Sequence, residues 1–205
     1  MVKVKICGIK TRESLISAGK GDFVGFILKT PRSKRNIELD YLKELLKNTD
    51  ISAKKVAVTV TTDKREISEI LDKVDFDYIQ IHNIIKKDIL FEIKEEFGIK
   101  IFYTITRENI FDLFEMKNHA EYFLFDSGFD GGKGIENDWN FLGQIRKYVP
   151  EGKMVVAGGI NMNNIEKVVR MVRPDVVDIS SGVEVNGEKD PFLIENIIKK
   201  VRDLI

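Results

Sequence analysis

The sequence predicts an α/β fold, a compact single-domain (β/α)8 TIM barrel over residues 1–205. Three observations favour it. Short runs of β-branched and aromatic residues recur along the chain, and charged segments with a helical period separate them. Eight such units fill the 205 residues. No G-x-G-x-x-G loop follows the first run, which disfavours the alternative, an open doubly wound sheet.

The predicted strands are the runs in which β-branched or aromatic residues dominate. In chain order they are VKIC (4–7), FVGFIL (23–28), KVAVTV (55–60), YIQIH (78–82), KIFYTI (100–105), YFLFD (122–126), MVVAG (154–158) and VVDIS (176–180). Apolar residues three and four apart predict amphipathic helices at 39–48, 64–74, 86–97, 164–172 and 191–205. Since the chain is short for a barrel, we expect short loops and some clipped helices.

Composition restricts the classes of function. Lys and Arg number 33 against 33 for Asp and Glu, so no basic field predicts nucleic-acid binding. The longest stretch without these residues, Met154 to Ile165, has 12 residues and is too short to span a membrane. The single cysteine cannot form an internal disulfide, and no signal-peptide pattern opens the chain. We expect a cytoplasmic protein with no nucleic-acid or membrane partner.

Strand alternation predicts which side chains point into the barrel. In the first strand Lys5 and Cys7 face inward, and in the sixth Asp126 does. Gln80 and His82 share the inner face of the fourth strand, and Asp178 and Ser180 that of the eighth. These polar groups lie near the strand C-termini, the end at which barrels carry their active sites. Strands 1 and 8 become neighbours on closure, so we predict a buried ion pair between Lys5 and Asp178.

The loops after strands 7 and 8 are rich in small residues. The first contains Gly158 and Gly159, with Asn161 as the expected helix N-cap, and the second contains Ser180, Ser181 and Gly182. Consecutive small residues let backbone N–H groups converge on an anion, and barrels commonly bind phosphate in these two loops. We therefore expect a small phosphorylated substrate.

These motifs together make the chain resemble the phosphoribosylanthranilate isomerase family of tryptophan biosynthesis. The segments that carry the resemblance span the whole chain: KICGI (5–9), GF with SKR (25–35), QIH (80–82), FD (125–126), GGKG (131–134), DW (138–139), AGGI (157–160), and DISSGVE (178–184) with Gly187, Lys189 and Asp190. The pairing of KICGI with DISSGVE is the most specific part. The sequence departs from the family pattern at Asn83, Lys133 and Asn137, and its third and fifth strands match poorly.

The resemblance implies an Amadori rearrangement of N-(5-phosphoribosyl)anthranilate. Carried onto this chain, the general base is Cys7 and the general acid is Asp126. Arg35 would hold the anthranilate carboxylate, because an arginine fork binds carboxylates bidentately. The phosphate would lie in the two small-residue loops, with help from Gly131 and Gly132. No metal or cofactor is implied, and the enzyme would act as a monomer or homodimer.

The residues named so far have simpler interpretations too. Free cysteine is only a few per cent thiolate at neutral pH, so Cys7 needs a nearby cation, for which Lys5 is the first suspect. Asp130 is the rival acid, and His82 is more typical of a structural residue bonded to Gln80. The alternatives in function are indole-glycerol-phosphate synthase, the histidine-pathway isomerase and a non-catalytic phosphosugar sensor. The synthase would need a catalytic Lys/Glu set on other strands and a longer N-terminal extension, and the histidine-pathway isomerase uses an Asp on the first strand where this chain has Cys7. A sensor predicts the loss of one proton-transfer group, whereas both Cys7 and Asp126 are present.

Overall fold

The computed structural model describes residues 1–126 and 138–204, and its main strands close into a barrel. All neighbours pair in parallel, and pairing of the first strand with the eighth completes the circle. The predicted barrel is confirmed, and each predicted strand overlaps an observed one. The strands are β1 (Lys3–Cys7), β2 (Phe23–Ile27), β3 (Lys54–Thr59), β4 (Tyr78–Ile81), β5 (Lys100–Ile105), β6 (Tyr122–Phe125), β7 (Met154–Val156) and β8 (Val176–Ile179).

Helices follow the strands and cover the barrel. They are α1 (Arg12–Ala18), α2 (Leu39–Lys47), α3 (Lys64–Lys73), α4 (Lys87–Phe97), α5 (Asp112–Glu115), α6 (Trp139–Ile145), α7 (Ile165–Val172) and α8 (Pro191–Asp203). The four-residue α5 is the kind of clipped helix expected for a chain of this length. Side-chain caps set several starts: Asp190, for example, accepts from the backbone N–H of Leu193 ahead of α8. None of the helices in the described ranges is long and apolar enough to cross a membrane.

A feature that the sequence did not predict follows β8. Two-residue strands β9 (Glu184–Val185) and β10 (Glu188–Lys189) pair in antiparallel fashion. Asn186 and Gly187 make the tight turn between them with φ of 52° and 85°. This left-handed backbone favours Asn and Gly. The resulting β9–β10 hairpin stands at the C-terminal end of the barrel and carries charged side chains toward it.

Alternation along the strands separates two apolar layers. The residues that face outward, such as Val4, Ile6 and Phe123, pack with the helices in one large cluster. The residues that face inward, such as Cys7 and Leu124, form a second cluster inside the barrel. The orientations predicted for strands 1 and 6 are therefore confirmed, and Cys7 belongs to the interior.

Four aromatic rings fill the barrel near its N-terminal end. Phe23, Tyr78 and Tyr122 are the first residues of their strands, and their rings meet that of Phe102 with centroids 4.7 to 5.9 Å apart. Lys3 donates a 3.1 Å hydrogen bond to the Tyr122 hydroxyl. Burial raises the pKa of Tyr78 to about 12. We call these four rings the aromatic layer; it closes this end of the barrel to solvent.

Candidate active site

Cys7 is the last residue of β1, at the C-terminal mouth of the barrel, and only 7% of it is exposed. Its neighbour across the sheet is Gly25. A Cβ atom on Gly25 would lie 2.9 Å from the Cys7 Sγ and 3.3 Å from the Lys5 Nζ. The absent side chain on β2 therefore gives the thiol and the ammonium the space they occupy.

Beneath the thiol, Lys5 and Asp178 form a buried ion pair, with Nζ 2.6 Å from Oδ2. The Lys5 side chain is fully buried and that of Asp178 is 6% exposed. The predicted pair is confirmed. Burial alone lowers the pKa of Lys5, but the Asp178 carboxylate holds it above its ordinary range, so the lysine stays charged.

Asp126 follows β6 directly and lies at the same mouth. Its Oδ2 is 3.3 Å from Nε2 of His82, which follows β4. On its other side the His82 ring has Nδ1 3.2 Å from the Gln80 amide nitrogen. The predicted contact between Gln80 and His82 is confirmed, and the structure adds the contact between His82 and Asp126, which sequence reasoning missed.

The two small-residue loops touch each other. Gly158 and Gly159 have φ of 91° and 67°, a left-handed conformation suited to glycine. A Cβ on Gly182 would lie 1.9 Å from the Ile160 carbonyl oxygen, so only glycine fits at this crossing. The loops after β7 and β8 therefore form one continuous surface at the mouth, which also includes Ser181.

The expectation that Asn161 caps α7 is wrong. The helix begins at Ile165, and Asn164 is its N-cap residue. The side-chain amides of Asn161 and Asn164 both donate to the Gly159 carbonyl, at 3.0 and 2.9 Å. Asn161 is thus used to fold the loop around the glycines, and this delays the start of the helix by a turn.

Arg35 is buried at the rim, where its fork binds Glu184 of the β9–β10 hairpin. Nε lies 2.5 Å from Oε1 and Nη2 3.0 Å from Oε2. A Cβ on Gly8 would lie 2.7 Å from Cδ of Arg35, so Gly8 allows the arginine to cross the end of β1. Although burial opposes it, hydrogen bonds from Arg35 and Lys189 hold the pKa of Glu184 at about 2.

Lys189, at the end of the hairpin, is buried with 5% of its side chain exposed. Its Nζ lies 2.7 Å from Oε1 of Glu184, 2.9 Å from the Ser180 carbonyl oxygen and 3.2 Å from the Ser180 hydroxyl. That hydroxyl donates in turn to the Cys7 carbonyl at 3.1 Å. The resemblance included Lys189 without giving it a role, and its burial could not be predicted because nothing in a two-residue strand signals it.

The ionisation of Cys7 results from several opposed influences. Burial raises the pKa of the thiol above its ordinary value, and the Asp178 carboxylate adds to this. Lys5 and Lys189 both lower that pKa without cancelling the rise. The predicted help from Lys5 is therefore present, but burial outweighs it and keeps the pKa of the thiol above its ordinary value.

Gly131 and Gly132, together with Asp130, Lys133 and Asn137, lie outside the described residues. Within the described residues no group of three or more His, Cys, Asp and Glu side chains is arranged to hold a metal ion. The site is built from a thiol, carboxyl groups, buried cations and glycine-rich backbone.

A closed (β/α)8 barrel with titratable side chains gathered at its C-terminal mouth defines a barrel enzyme. The comparisons with known proteins identify its family. The family model described as "N-(5'phosphoribosyl)anthranilate (PRA) isomerase" matches residues 4–200. A protein of that description from Caldanaerobacter subterraneus subsp. tengcongensis is 34% identical, with 100% of both chains covered.

Two solved structures agree in fold over 99% of this chain and 100% of theirs. One shows monomers derived from a dimeric phosphoribosylanthranilate isomerase of Thermotoga maritima, with a TM-score of 0.81 and 29% identity. The other is a phosphoribosylanthranilate isomerase in complex with reduced 1-(o-carboxyphenylamino)-1-deoxyribulose 5-phosphate, with a TM-score of 0.81 and 28% identity. The chain belongs to the N-(5'-phosphoribosyl)anthranilate isomerase family.

Proposed function

We propose that the barrel mouth converts N-(5'-phosphoribosyl)anthranilate to 1-(2-carboxyphenylamino)-1-deoxyribulose 5-phosphate, with Cys7 as general base and Asp126 as general acid. The observation that carries these roles is topological. Cys7 ends β1 and Asp126 follows β6, while β7 and β8, which bear the small-residue loops, lie between them in the barrel. A sugar phosphate anchored on those loops would have the thiol on one side and the carboxyl on the other.

The chemistry needs one proton delivered and one removed. Asp126 gives its proton to the furanose ring oxygen as the C1–O bond breaks and the amine nitrogen forms a C1=N Schiff base. Cys7, as thiolate, then takes the proton from C2, and the electron pair moves to give an enolamine. Protonation of C1 and loss of the C2 hydroxyl proton yield the ketone and restore both groups. The substrate is isomerised without net oxidation, so the reaction balances with acid and base groups alone.

The phosphate belongs, in this proposal, on the loops that contain Gly158, Gly159, Ser181 and Gly182. Their contact at Ile160 and the left-handed glycines support it, because both bring backbone close to the surface of the mouth. Ser180 would contribute through its backbone, since its hydroxyl already donates to Cys7. The Gly131 and Gly132 contribution stays a prediction.

Arg35 would bind the anthranilate carboxylate. A guanidinium has five N–H donors, and among the described residues Glu184 takes two of them. The same bidentate contact holds the fork in one orientation, which reduces the entropy lost when a second carboxylate binds. Arg35 also lies across Gly8, next to Cys7, so the aromatic ring of the substrate would extend from the mouth over the end of β1.

The low cysteine content suits a cytoplasmic enzyme. A monomer or a homodimer is compatible with a mouth built from one chain, and static light scattering of the purified protein distinguishes them. Besides a second copy of the chain in a homodimer, the phosphosugar substrate is the only partner that we expect.

The test is a direct assay. Purified protein is mixed with N-(5'-phosphoribosyl)anthranilate, and loss of anthranilate-type fluorescence is followed with and without a metal chelator. We expect turnover in both arms without any added cofactor, and none with anthranilate itself. The proposal is contradicted if the folded protein consumes the substrate no faster than the substrate decays spontaneously.

A further inference from the structure

The residues of β1 do not fully account for how Cys7, the proposed general base, loses its proton. Cys7 must lose its proton to work, yet burial raises the pKa of the thiol. The cation on the same strand, Lys5, is held 2.6 Å from the buried carboxylate of Asp178. Lys5 lowers the pKa of the thiol by its charge and by a hydrogen bond, but the Asp178 carboxylate raises that pKa and offsets part of the help, and burial outweighs the rest.

A second buried cation reaches the same region from the β9–β10 hairpin. Lys189 crosses the end of β8, and its ammonium contacts both polar atoms of Ser180, the residue whose hydroxyl is bonded to the Cys7 carbonyl. The chain of contacts from Lys189 through Ser180 to Cys7 is continuous and mostly screened from water. Lys189 is paired with Glu184, but even a paired buried charge costs desolvation free energy, so a role in the site would explain why it is kept.

The charge around Lys189 does not cancel, in contrast to that around Lys5. Its anionic partner, Glu184, is shared with Arg35 and accepts two hydrogen bonds from that guanidinium. Arg35, Lys189 and Glu184 therefore sum to a net charge of +1, and the exposed Lys34, 3.4 Å from Glu184, adds to it. This cluster supplies the uncompensated positive charge on the Cys7 side of the mouth.

We propose that Lys189 is a positioning residue for the isomerisation: through Ser180 it fixes the end of β1, and it adds to the charge of Lys5 a second positive charge that stabilises the Cys7 thiolate. The inference rests on the proposed function only in giving Cys7 the role of base. Burial raises the pKa of Asp178, and Lys5 opposes that rise while filling the barrel beneath the thiol.

The charged groups that face Cys7 are consistent with this division. Lys5 comes from its own strand, Asp178 from β8 and Lys189 from β10, while Asp126 and His82 act on Asp178 across the mouth. Lys189 favours the thiolate and Asp178 opposes it. The coupling is mutual, since the Cys7 thiolate favours the charged form of Lys189, whose pKa burial lowers.

The chain offers a direct measurement, because Cys7 is its only cysteine. Thiolate absorbance or the rate of alkylation by iodoacetamide, followed against pH without substrate, gives the pKa of this thiol alone. In Lys189→Met we expect that pKa to rise by about one unit or more, so that roughly tenfold less thiolate is present at neutral pH. Lys189→Arg, which keeps the charge, should restore most of the difference.

Lys153→Met is the matched control. Lys153 also donates to backbone carbonyls, at 2.7 and 2.9 Å, but it belongs to the opposite end of the barrel. Its loss should leave the thiol pKa within about 0.3 units of the unmodified protein. In the activity assay, kcat/KM of Lys189→Met should fall at neutral pH and recover at alkaline pH. A purely structural defect would reduce activity equally at every pH.

A second variant tests the same charge with the opposite sign. Glu184→Gln removes the anion beside Lys189, so the thiol pKa should fall. The proposal is overturned if folded Lys189→Met titrates like the unmodified protein. If Lys189→Met does not fold, Glu184→Gln decides, and an unchanged or raised thiol pKa overturns it. Because these titrations need no substrate, they remain informative even if the isomerase assay fails.

Discussion

The two ends of the barrel interior differ in the polarity of their side chains: one is aromatic and the other is charged. At the N-terminal end, the aromatic layer packs rings edge-to-face and stacked at centroid distances of 4.7 to 5.9 Å. At the C-terminal mouth, the side chains that face inward include Lys5, Asp178 and Cys7, and Lys189 reaches them from the β9–β10 hairpin. Apolar burial at the N-terminal end stabilises the fold, whereas burying charged groups at the mouth costs desolvation free energy.

This contrast assigns stability to one end and chemistry to the other. Aromatic pairs contribute beyond their buried area, and burial moves the pKa of Tyr78 further from neutral pH. Buried charges contribute little to stability, but their mutual influence sets the ionisation that catalysis needs. Substitutions at the two ends should therefore separate stability from turnover.

The largest expected effect on stability comes from the aromatic layer. Phe23 is 2% exposed and its ring meets three others, so Phe23→Ala leaves a cavity and should lower the free energy of unfolding by about 3–5 kcal/mol. Activity per folded molecule should stay within about twofold. Urea unfolding and the fluorescence assay measure the two quantities. Phe111→Ala, at a ring 75% exposed, is the control and should change little. A stable but inactive Phe23→Ala would break the contrast.

At the mouth the expected loss is in turnover. Cys7→Ser and Asp126→Asn should each lower kcat by roughly 10²-fold or more, the scale of a lost acid or base. Both variants keep the shape of the side chain, so the free energy of unfolding should move by no more than about 1 kcal/mol. Single-turnover kinetics and chemical unfolding test the pair. Full activity in either variant removes that residue from its proposed role.

A smaller effect is expected where the two small-residue loops cross. Gly182→Ala would force its Cβ against the Ile160 carbonyl, so the loops must separate. We expect KM for the phosphorylated substrate to rise about tenfold, the scale of one misplaced charge-assisted contact. Gly98→Ala, with φ of 61° and open space around it, is the control. It should cost about 1 kcal/mol in stability and leave KM unchanged. Equal KM values in both variants would argue against phosphate binding at this crossing.

The last expected effect is an acid dependence of stability, which appears only well below neutral pH. The folded-state pKa of Glu184 is about 2, against an ordinary value of 4.5. A lowered folded pKa stabilises the protein above the unfolded value, and this contribution is lost as the pH falls from about 4.5 toward 2. Thermal melting across this range should show a steeper loss for the unmodified protein than for Glu184→Gln. Identical slopes would mean that the hairpin charges are not coupled to folding.

The fold could be predicted from the sequence because each strand carries its own signal. The alternating pattern in residues 100–105 and 122–126 predicts two strands and the side chains that face inward from them. The predicted ends lie within two residues of those observed. The ion pair of Lys5 with Asp178 followed from closure of the barrel, since topology alone makes strands 1 and 8 neighbours.

Contacts made by loops could not be predicted in the same way. Arg35 and Glu184 are 149 residues apart, and no periodicity relates them. The β9–β10 hairpin has strands of two residues each, too short for a pattern to register. Asn161 is not the cap of α7 because its amide donates to the Gly159 carbonyl, a contact that depends on the conformation of the glycine loop and has no sequence periodicity.

The closure of the barrel has a consequence for how the enzyme is made. Cys7 emerges from the ribosome among the first residues, but Ser180 and Lys189, which position it in our proposal, lie about 170 or more residues later. Such contacts of high sequence separation form late in folding. A nascent chain released before its last β/α unit would carry the reactive thiol without its partners. Catalytic turnover therefore requires the complete chain, and it should be the last property to appear on folding.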